Sequence, residues 1–204
     1  MFVKVASDVL GLSEIGSVIK PEDYDKVESD DFVMHEDNER IYFLIKSKTD
    51  EYCFTNKALI HLDGTSATSK KRSLYRFDYS THKISEVTLE TAGTVDLDIE
   101  LKFKIGSRIF SIDVHKKYLN ELKDLYKALL KIAEISHDNE IILEYANQSL
   151  NLASSTLSHL RSTEHNPVEQ FKELNQAAFS WLVEARKQYH VKDYGFVFER
   201  YINR

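Results

Sequence analysis

Glu90-Thr91-Ala92-Gly93-Thr94-Val95-Asp96-Leu97-Asp98-Ile99-Glu100-Leu101, continued by Lys102-Phe103-Lys104, is the stretch on which the fold turns. Past Gly93, whose missing Cβ suits a turn or kink, apolar residues fall on every second position. Val95, Leu97, Ile99, Leu101 and Phe103 take one face, and Asp96, Asp98, Glu100, Lys102 and Lys104 take the other. In a β-strand successive side chains point to opposite sides, so this alternation gives one buried and one wet face.

Outward from that strand the same period recurs. Upstream lie Ile41 to Ile45, the turn Lys48-Thr49-Asp50, then Tyr52 to Thr55 and Ala58 to Leu62. Asp63-Gly64 reads as the next reversal, followed by a polar loop from Thr65 to Lys71, then Leu74 to Tyr79 and Ile84 to Leu89. Arg108 to Val114 follows downstream. About seven short strands on short loops predict an antiparallel sandwich or partly closed barrel.

After Asp113 the period shifts to 3.6. Tyr118, Leu119, Leu122, Leu125, Tyr126, Leu129, Ile132 and Ala133 share one face of a helix that would cap the barrel. The fold class is therefore α+β. Ser136-His137-Asp138-Asn139 reads as a break, dividing a first domain over 1–136 from a second over 137–204. The entry segment carries two short helix starts, Ser7 before Val9 and Leu10, and Pro21 before Glu22 and Asp23.

The second domain has a different pattern. Leu143, Ala146, Leu150, Ala153, Leu157 and Leu160 recur at steps of three and four, a heptad seam. Asn166-Pro167-Val168-Glu169 is a helix start with cap, first-turn proline and acid in place. The helix it opens carries Phe171, Leu174, Ala178, Trp181, Ala185 and Gln188 at the same spacing. Residues 138–190 thus read as an antiparallel helical hairpin. So small a unit buries neither seam well alone; either the barrel of its own chain covers them or other subunits do. The aromatic tail from Gly195 to Ile202 needs a burial partner too, and its pattern does not separate strand from helix.

Composition limits the function classes. The 204 residues carry 27 Lys and Arg against 33 Asp and Glu, a net charge of −6. That balance disfavours nucleic acid, which needs a basic surface, and strong adhesion to anionic membrane. No run of 18 apolar residues could span a bilayer, and the start lacks the apolar core of a signal peptide. Cys53, the single cysteine, sits in an alternating apolar stretch as a small buried hydrophobe. These features predict a cytoplasmic protein.

Catalytic motifs are absent: G-x-S-x-G, the Walker loop and G-x-G-x-x-G do not occur. The eight histidines make no metal-ligand pair at helical spacing, and Cys53 has no second thiol. His61 reads as a satisfied core or surface histidine rather than a base or ligand. No catalytic, cofactor or metal residue is assigned.

Two charged features remain. Asp96, Asp98 and Glu100 line one face of the strand, with Glu90, Thr91 and Gly93 just before. They form a solvated face, a polar contact surface, or a calcium site, the last disfavoured because carboxylates along one strand do not converge. The basic run Lys70-Lys71-Arg72, with Arg76, is a solvated loop or the counterpart of that acidic row on a neighbouring subunit. It is also the one place for an anionic lipid, and Lys46 and Lys48 lie in a loop whose Asp50 and Glu51 offset them.

Phe54-Thr55-Asn56-Lys57-Ala58-Leu59-Ile60, Gly64, Lys70-Lys71, Ser85 to Leu89, and the long block from Glu90 to Leu101 resemble the bacterial pleckstrin-homology (PH) family of the YvbH-like type. The segment from about 138 on is similar to the extension that promotes oligomerisation in that family. The resemblance implies a seven-strand barrel with a C-terminal helix, assembled into a ring-shaped homo-oligomer without enzymatic activity or cofactor. It implies self as partner, with another protein or a membrane lipid as alternatives. The sheet surface around Glu90–Glu100 and Lys70–Arg72 and the helical residues Leu143, Leu150, Leu157, Phe171, Leu174 and Trp181 are the candidate interfaces.

Overall fold

The computed structural model describes residues 14–64, 72–91, 98–158 and 167–202. Eight antiparallel strands are found there: β1 (Ser17–Val18), β2 (Ile41–Lys46), β3 (Glu51–Thr55), β4 (Ala58–Gly64), β5 (Arg72–Asp78), β6 (Ile84–Thr91), β7 (Asp98–Ile105) and β8 (Arg108–His115). Three helices follow, α1 (Leu119–Ser158), α2 (Pro167–Tyr189) and α3 (Gly195–Tyr201). Every strand expected from the alternation is present, and β1 is a two-residue addition.

The strands form two sheets, β1-β2-β3-β4-β5 and β6-β7-β8, rather than one seven-strand barrel. The chain passes between layers at Asp78–Lys83, where the Thr81 and His82 amides both donate to the Asp78 carbonyl. At the other side Gly16 donates to Asp113 O (2.8 Å) and accepts from the His115 amide (3.0 Å), a parallel bridge onto β8. Among the described residues β5 and β6 do not pair, so no barrel is closed. The Asp63-Gly64 reversal also shifts, because β4 continues through Gly64, which pairs with Arg72. A Cβ on Gly64 would stand 2.5 Å from the Thr49 carbonyl oxygen, so this strand end needs glycine for space.

The β2-β3-β4 part of the five-stranded sheet is buried on both faces, which is why these strands read as nearly continuous apolar runs. One face meets β6–β8 through Phe54 against Phe103 (6.1 Å) and Tyr52 and Phe77 against Phe110 (6.1 and 5.6 Å). On the other, Leu44, Cys53 and Ile60 lie in one cross-strand row under Ile19, Val27 and Val33. Those residues flank two 3-10 turns, Pro21–Lys26 and Glu28–Phe32, the first opened by Pro21 with Glu22 and Asp23 behind it. Cys53 is the buried hydrophobe expected, and burial pushes its thiol far up. On β7, Ile99, Leu101 and Phe103 are buried while Asp98, Glu100, Lys102 and Lys104 stay half-exposed, as the alternation requires. Val95, Asp96 and Leu97 lie outside the described residues, as do Gly93, Ser7, Val9 and Leu10.

Helix α1 buries Leu122, Leu125, Ala128, Leu129 and Ile132. It then runs unbroken through Ser136-His137-Asp138-Asn139, contrary to the break read there. The four residues include neither Gly nor Pro, and residues of middling propensity do not stop a helix with good formers on both sides. What changes there is burial. The chain divides into one compact unit running to Ala133 and resuming at Lys192, and another over Glu134–Val191. The tail therefore stands with the sheets, not with the helices before it.

That tail is a helix held by specific bonds. Asn56, in the turn between β3 and β4, accepts the Tyr194 amide on its carbonyl (2.7 Å) and donates from its side chain to Asp193 (2.6 Å). Tyr42 donates to Glu199 (2.8 Å) and stacks on Phe198 at 5.3 Å, while Tyr79 packs against Tyr194 and Phe198. Burial first and the Glu199 bond second push the Tyr42 hydroxyl up to about 12. Gly195 fits because a Cβ there would approach the Tyr42 hydroxyl to 2.9 Å.

Candidate functional site: a polar sheet face and an exposed helical pair

On the outer face of β6-β7-β8 the register lines up Glu90, Glu100 and Asp113, one from each strand. Three carboxylates side by side repel, and the structure answers with Lys102. Its ammonium lies 3.0 Å from Glu90 and 2.8 Å from Glu100, and Glu100 also accepts from Ser111. These bonds hold the Glu100 carboxyl below its ordinary range. Asp113 goes the other way, raised by burial and by the charges of Glu100 and Asp98. Thr91 is exposed beside this row. Asp98 and Glu100 share a face, as the alternation requires, Glu90 joins them through the β6–β7 register, and the lysine that meets this row comes from β7 itself. Among the described residues no group of three or more His, Cys, Asp and Glu could hold a metal ion.

The basic candidates fare differently. Lys70 and Lys71 lie outside the described residues, and Arg72 pairs with Glu28 at 3.4 Å. Arg76 is turned inward. Its guanidinium meets the fully buried Glu39 at 3.0 Å and Asp78 at 2.9 Å. Burial alone would raise the Glu39 carboxyl, but Arg76, the Thr55 hydroxyl and the Met34 amide outweigh it and hold it low. Arg76 is therefore a structural partner and not part of a basic surface. The β2–β3 turn also neutralises itself: Lys46 bonds Glu51, whose other oxygen accepts the Ser29 amide (2.8 Å), and Lys48 meets Glu14 at 3.4 Å.

His61 forms the middle of a cross-strand ladder of rings. It stacks on Tyr52 at 4.5 Å with 7° between planes, lies 6.0 Å from Tyr75, and shares Nε2 with Asp50 at 3.1 Å. Arg108 from β8 covers Tyr75 at 3.9 Å and reaches Asp63 at 3.3 Å, tying the two sheets together. It is a core histidine, as expected, but only half satisfied, because Nδ1 is buried without a hydrogen-bond partner. A cavity of about 470 Å³ opens in the same unit, lined by apolar and aromatic residues such as Ile19, Tyr24 and Phe43 together with the charged Lys20, Asp23, Lys26, Lys46 and Glu121. No polar side chain among these is left buried without a partner.

The helical unit is built on different terms. None of its described side chains is buried. Leu143 and Leu150 are half-buried, Phe171 is 68% exposed, and Leu174 and Trp181 are exposed. Leu157 lies near the end of α1 with its side chain outside the described set. Among the described residues, the apolar side chains of both helices thus stay at least partly open. Ile142, Tyr145, Leu152, Val168 and Phe179, at positions the heptad reading passed over, are exposed as well. For Tyr145, Leu152 and Phe179 the signal was in the sequence: 145–158 and 174–183 contain no charged residue at all.

Two sheets with these loops, a helix packed after the last strand and an apolar helical extension define a class of small domain. Residues 9–133 match the bacterial PH domain, and residues 144–204 match the YvbH-like oligomerisation region. The chain belongs to the bacterial PH-domain family. It is 60% identical over 203 residues, the whole of both chains, to the protein YvbH of Bacillus subtilis (strain 168). It is 32% identical over 97 residues, 47% of this chain and 76% of the other, to YjqA of the same organism. A crystal structure of a PH-domain-containing bacterial protein from Exiguobacterium sibiricum 255-15 superposes with a TM-score of 0.86 at 54% identity, covering 93% of this chain and all of that one. Among the described residues no helix is long and apolar enough to cross a membrane.

Proposed function

We propose that this protein is a non-enzymatic, cytoplasmic PH-like module that self-associates through its helical unit and serves as a scaffold. One observation carries the reading. A 58-residue unit, Glu134–Val191, leaves its apolar residues at least partly exposed in the single chain, and from residue 144 on it lies in a stretch that matches an oligomerisation region. Exposed apolar area on that scale is characteristic of a surface awaiting a partner. The sheet face of Glu90, Asp98 and Glu100, with Arg72 and with Gly93, Asp96, Lys70 and Lys71 nearby in sequence, supplies a second, polar contact between subunits. A ring is the simplest closed assembly if the two surfaces differ, because head-to-tail contacts either close or form filaments. Anionic lipid is the less favoured reading, since Arg76 is spent on Glu39 and Arg72 on Glu28.

The test is solution mass by light scattering. The full chain is compared with one in which residues 137–190 are replaced by a flexible Gly/Ser linker of about 20 residues, which reaches roughly 25 Å. Cutting the chain after residue 136 would not serve, because it also removes α3 from the sheets. Discrete oligomers for the full chain and a smaller species for the internal deletion are expected. A full chain that is monomeric at micromolar concentration overturns the proposal.

A further inference from the structure

The self-association proposed above makes no use of the cavity in the sheet unit. Close-packed interiors seldom hold a void larger than a water molecule, and the packing beside this one is tight: Phe43, Tyr42 and Ile19 are 3%, 7% and 8% exposed. An opening of about 470 Å³ next to them is of the size at which small molecules bind. Its walls come from separate parts of the sheet unit. Ile19 and Tyr24 belong to the entry segment, Tyr42 and Phe43 to β2, and Tyr118 stands just before α1. Ile202, directly after α3, completes the lining. The stretch that matches the bacterial PH domain supplies all of these but Ile202, which lies in the other matched region. The cavity is therefore whole only with α3 in place.

The lining decides the chemistry. The Tyr24 hydroxyl donates to the Tyr42 carbonyl (3.3 Å), and the Tyr42 hydroxyl donates to Glu199. The charged residues of the lining are answered within the chain as well. Lys26 meets Asp23 and Lys46 meets Glu51, both at 2.5 Å, and Lys20 lies 3.8 Å from Glu22. Glu121 is exposed in the first turn of α1, where the helix dipole favours an acid. No buried polar side chain of the lining waits for a ligand. A charged group brought inside would lose its water without gaining a partner. Hydrocarbon would instead leave water for aromatic and aliphatic walls, which is favourable.

We propose that this cavity is a binding site for an uncharged small molecule with an aliphatic or aromatic hydrocarbon body. Ile19, Tyr24, Tyr42, Phe43 and Ile202 hold it by burial rather than by hydrogen bonds. Because such a ligand touches both β2 and Ile202, it binds only the form in which the tail is docked, and its occupancy holds the tail down.

The test titrates the full chain with N-phenyl-1-naphthylamine, an uncharged dye that brightens in apolar surroundings. The exposed helical residues are a second place for the dye, so binding is located by methyl NMR on chains labelled at isoleucine. The Ile19 and Ile202 methyl signals should shift as dye is added, while that of Ile142, exposed in the helical unit, stays in place. Shifts at Ile142 alone, or no binding at all, overturn the proposal. Ile202→Trp fills the cavity with a larger apolar side chain and should weaken dye binding about ten-fold; an unchanged affinity overturns the site. The class of ligand is tested by displacement. 1-Decanol should displace the dye at a concentration about ten-fold below that of decanoate or decylammonium, and equal displacement by either ion overturns the uncharged class. Binding that occurs only after removal of residues 1–13 assigns the cavity to the chain itself and overturns the proposal as well.

Discussion

The two units of this protein solve the same problem in opposite ways. In the sheet unit, Leu44, Ile45, Cys53, Phe54, Leu59 and Ile60 are sealed from water, and even Glu39 and Glu51 have found partners inside. In the helical unit no described side chain reaches that state. The contrast is not one of composition, because both carry large apolar residues. It is one of geometry: eight strands fold back on each other within the chain, while two helices present more apolar surface than they can cover. A substitution should therefore act on folding in one unit and on association in the other.

The largest effect is expected at Phe198. Phe198→Ala removes the ring stacked between Tyr42 and Tyr79 and should lower the unfolding free energy of the sheet unit by about 3–5 kcal/mol, read by denaturant titration. A loss under about 1 kcal/mol would mean that α3 is dispensable and the tail belongs elsewhere. Next is Arg76→Ala, which leaves Glu39 buried without its cation and should cost roughly 3 kcal/mol. Gly195→Ala should cost about 1–3 kcal/mol by forcing a methyl group against the Tyr42 hydroxyl. Lys102→Ala, on the open sheet face, comes last. It should leave the unfolding midpoint where it is, and a measurable drop would show that the carboxylate row depends on this lysine.

Acid sharpens the same contrast. The folded state holds the Glu39 and Glu51 carboxyls below their ordinary value of 4.5. Their contribution to stability is complete above that pH and is lost as pH falls through the lower folded-state values. Acid titration of the sheet unit should show this decline, and Glu51→Gln should flatten it. A stability profile that stays level below pH 4 in the parent would remove the two pairs as its source.

Most of the sheet unit was legible because strand alternation is local. Ile99, Leu101 and Phe103 declare their face within six residues, and Pro21 declares a helical turn by itself. Arg76 was misread because its partner Glu39 is 37 positions away and only the pairing of β4 with β5 brings them together. The α3 tail stayed undecided for the same reason: its aromatics have partners at Tyr42, Asn56 and Tyr79, far upstream. The polar residues at 136–139 do not interrupt α1, because polarity alone does not end a helix, and the division into compact units falls just before them, after Ala133. In the helical unit, the heptad reading passed over Tyr145, Leu152 and Phe179, although they lie in belts without charge.

The docking of α3 also sets an order of events. Synthesis runs from the N-terminus, so the strands and both long helices are made before Tyr194 and Phe198 exist to close over Tyr42 and Tyr79. The sheet unit is thus completed by residues that follow the helical unit in the chain. A chain halted anywhere between 134 and 191 combines an unfinished domain with exposed sticky helices, a product suited to quality-control proteases rather than to assembly.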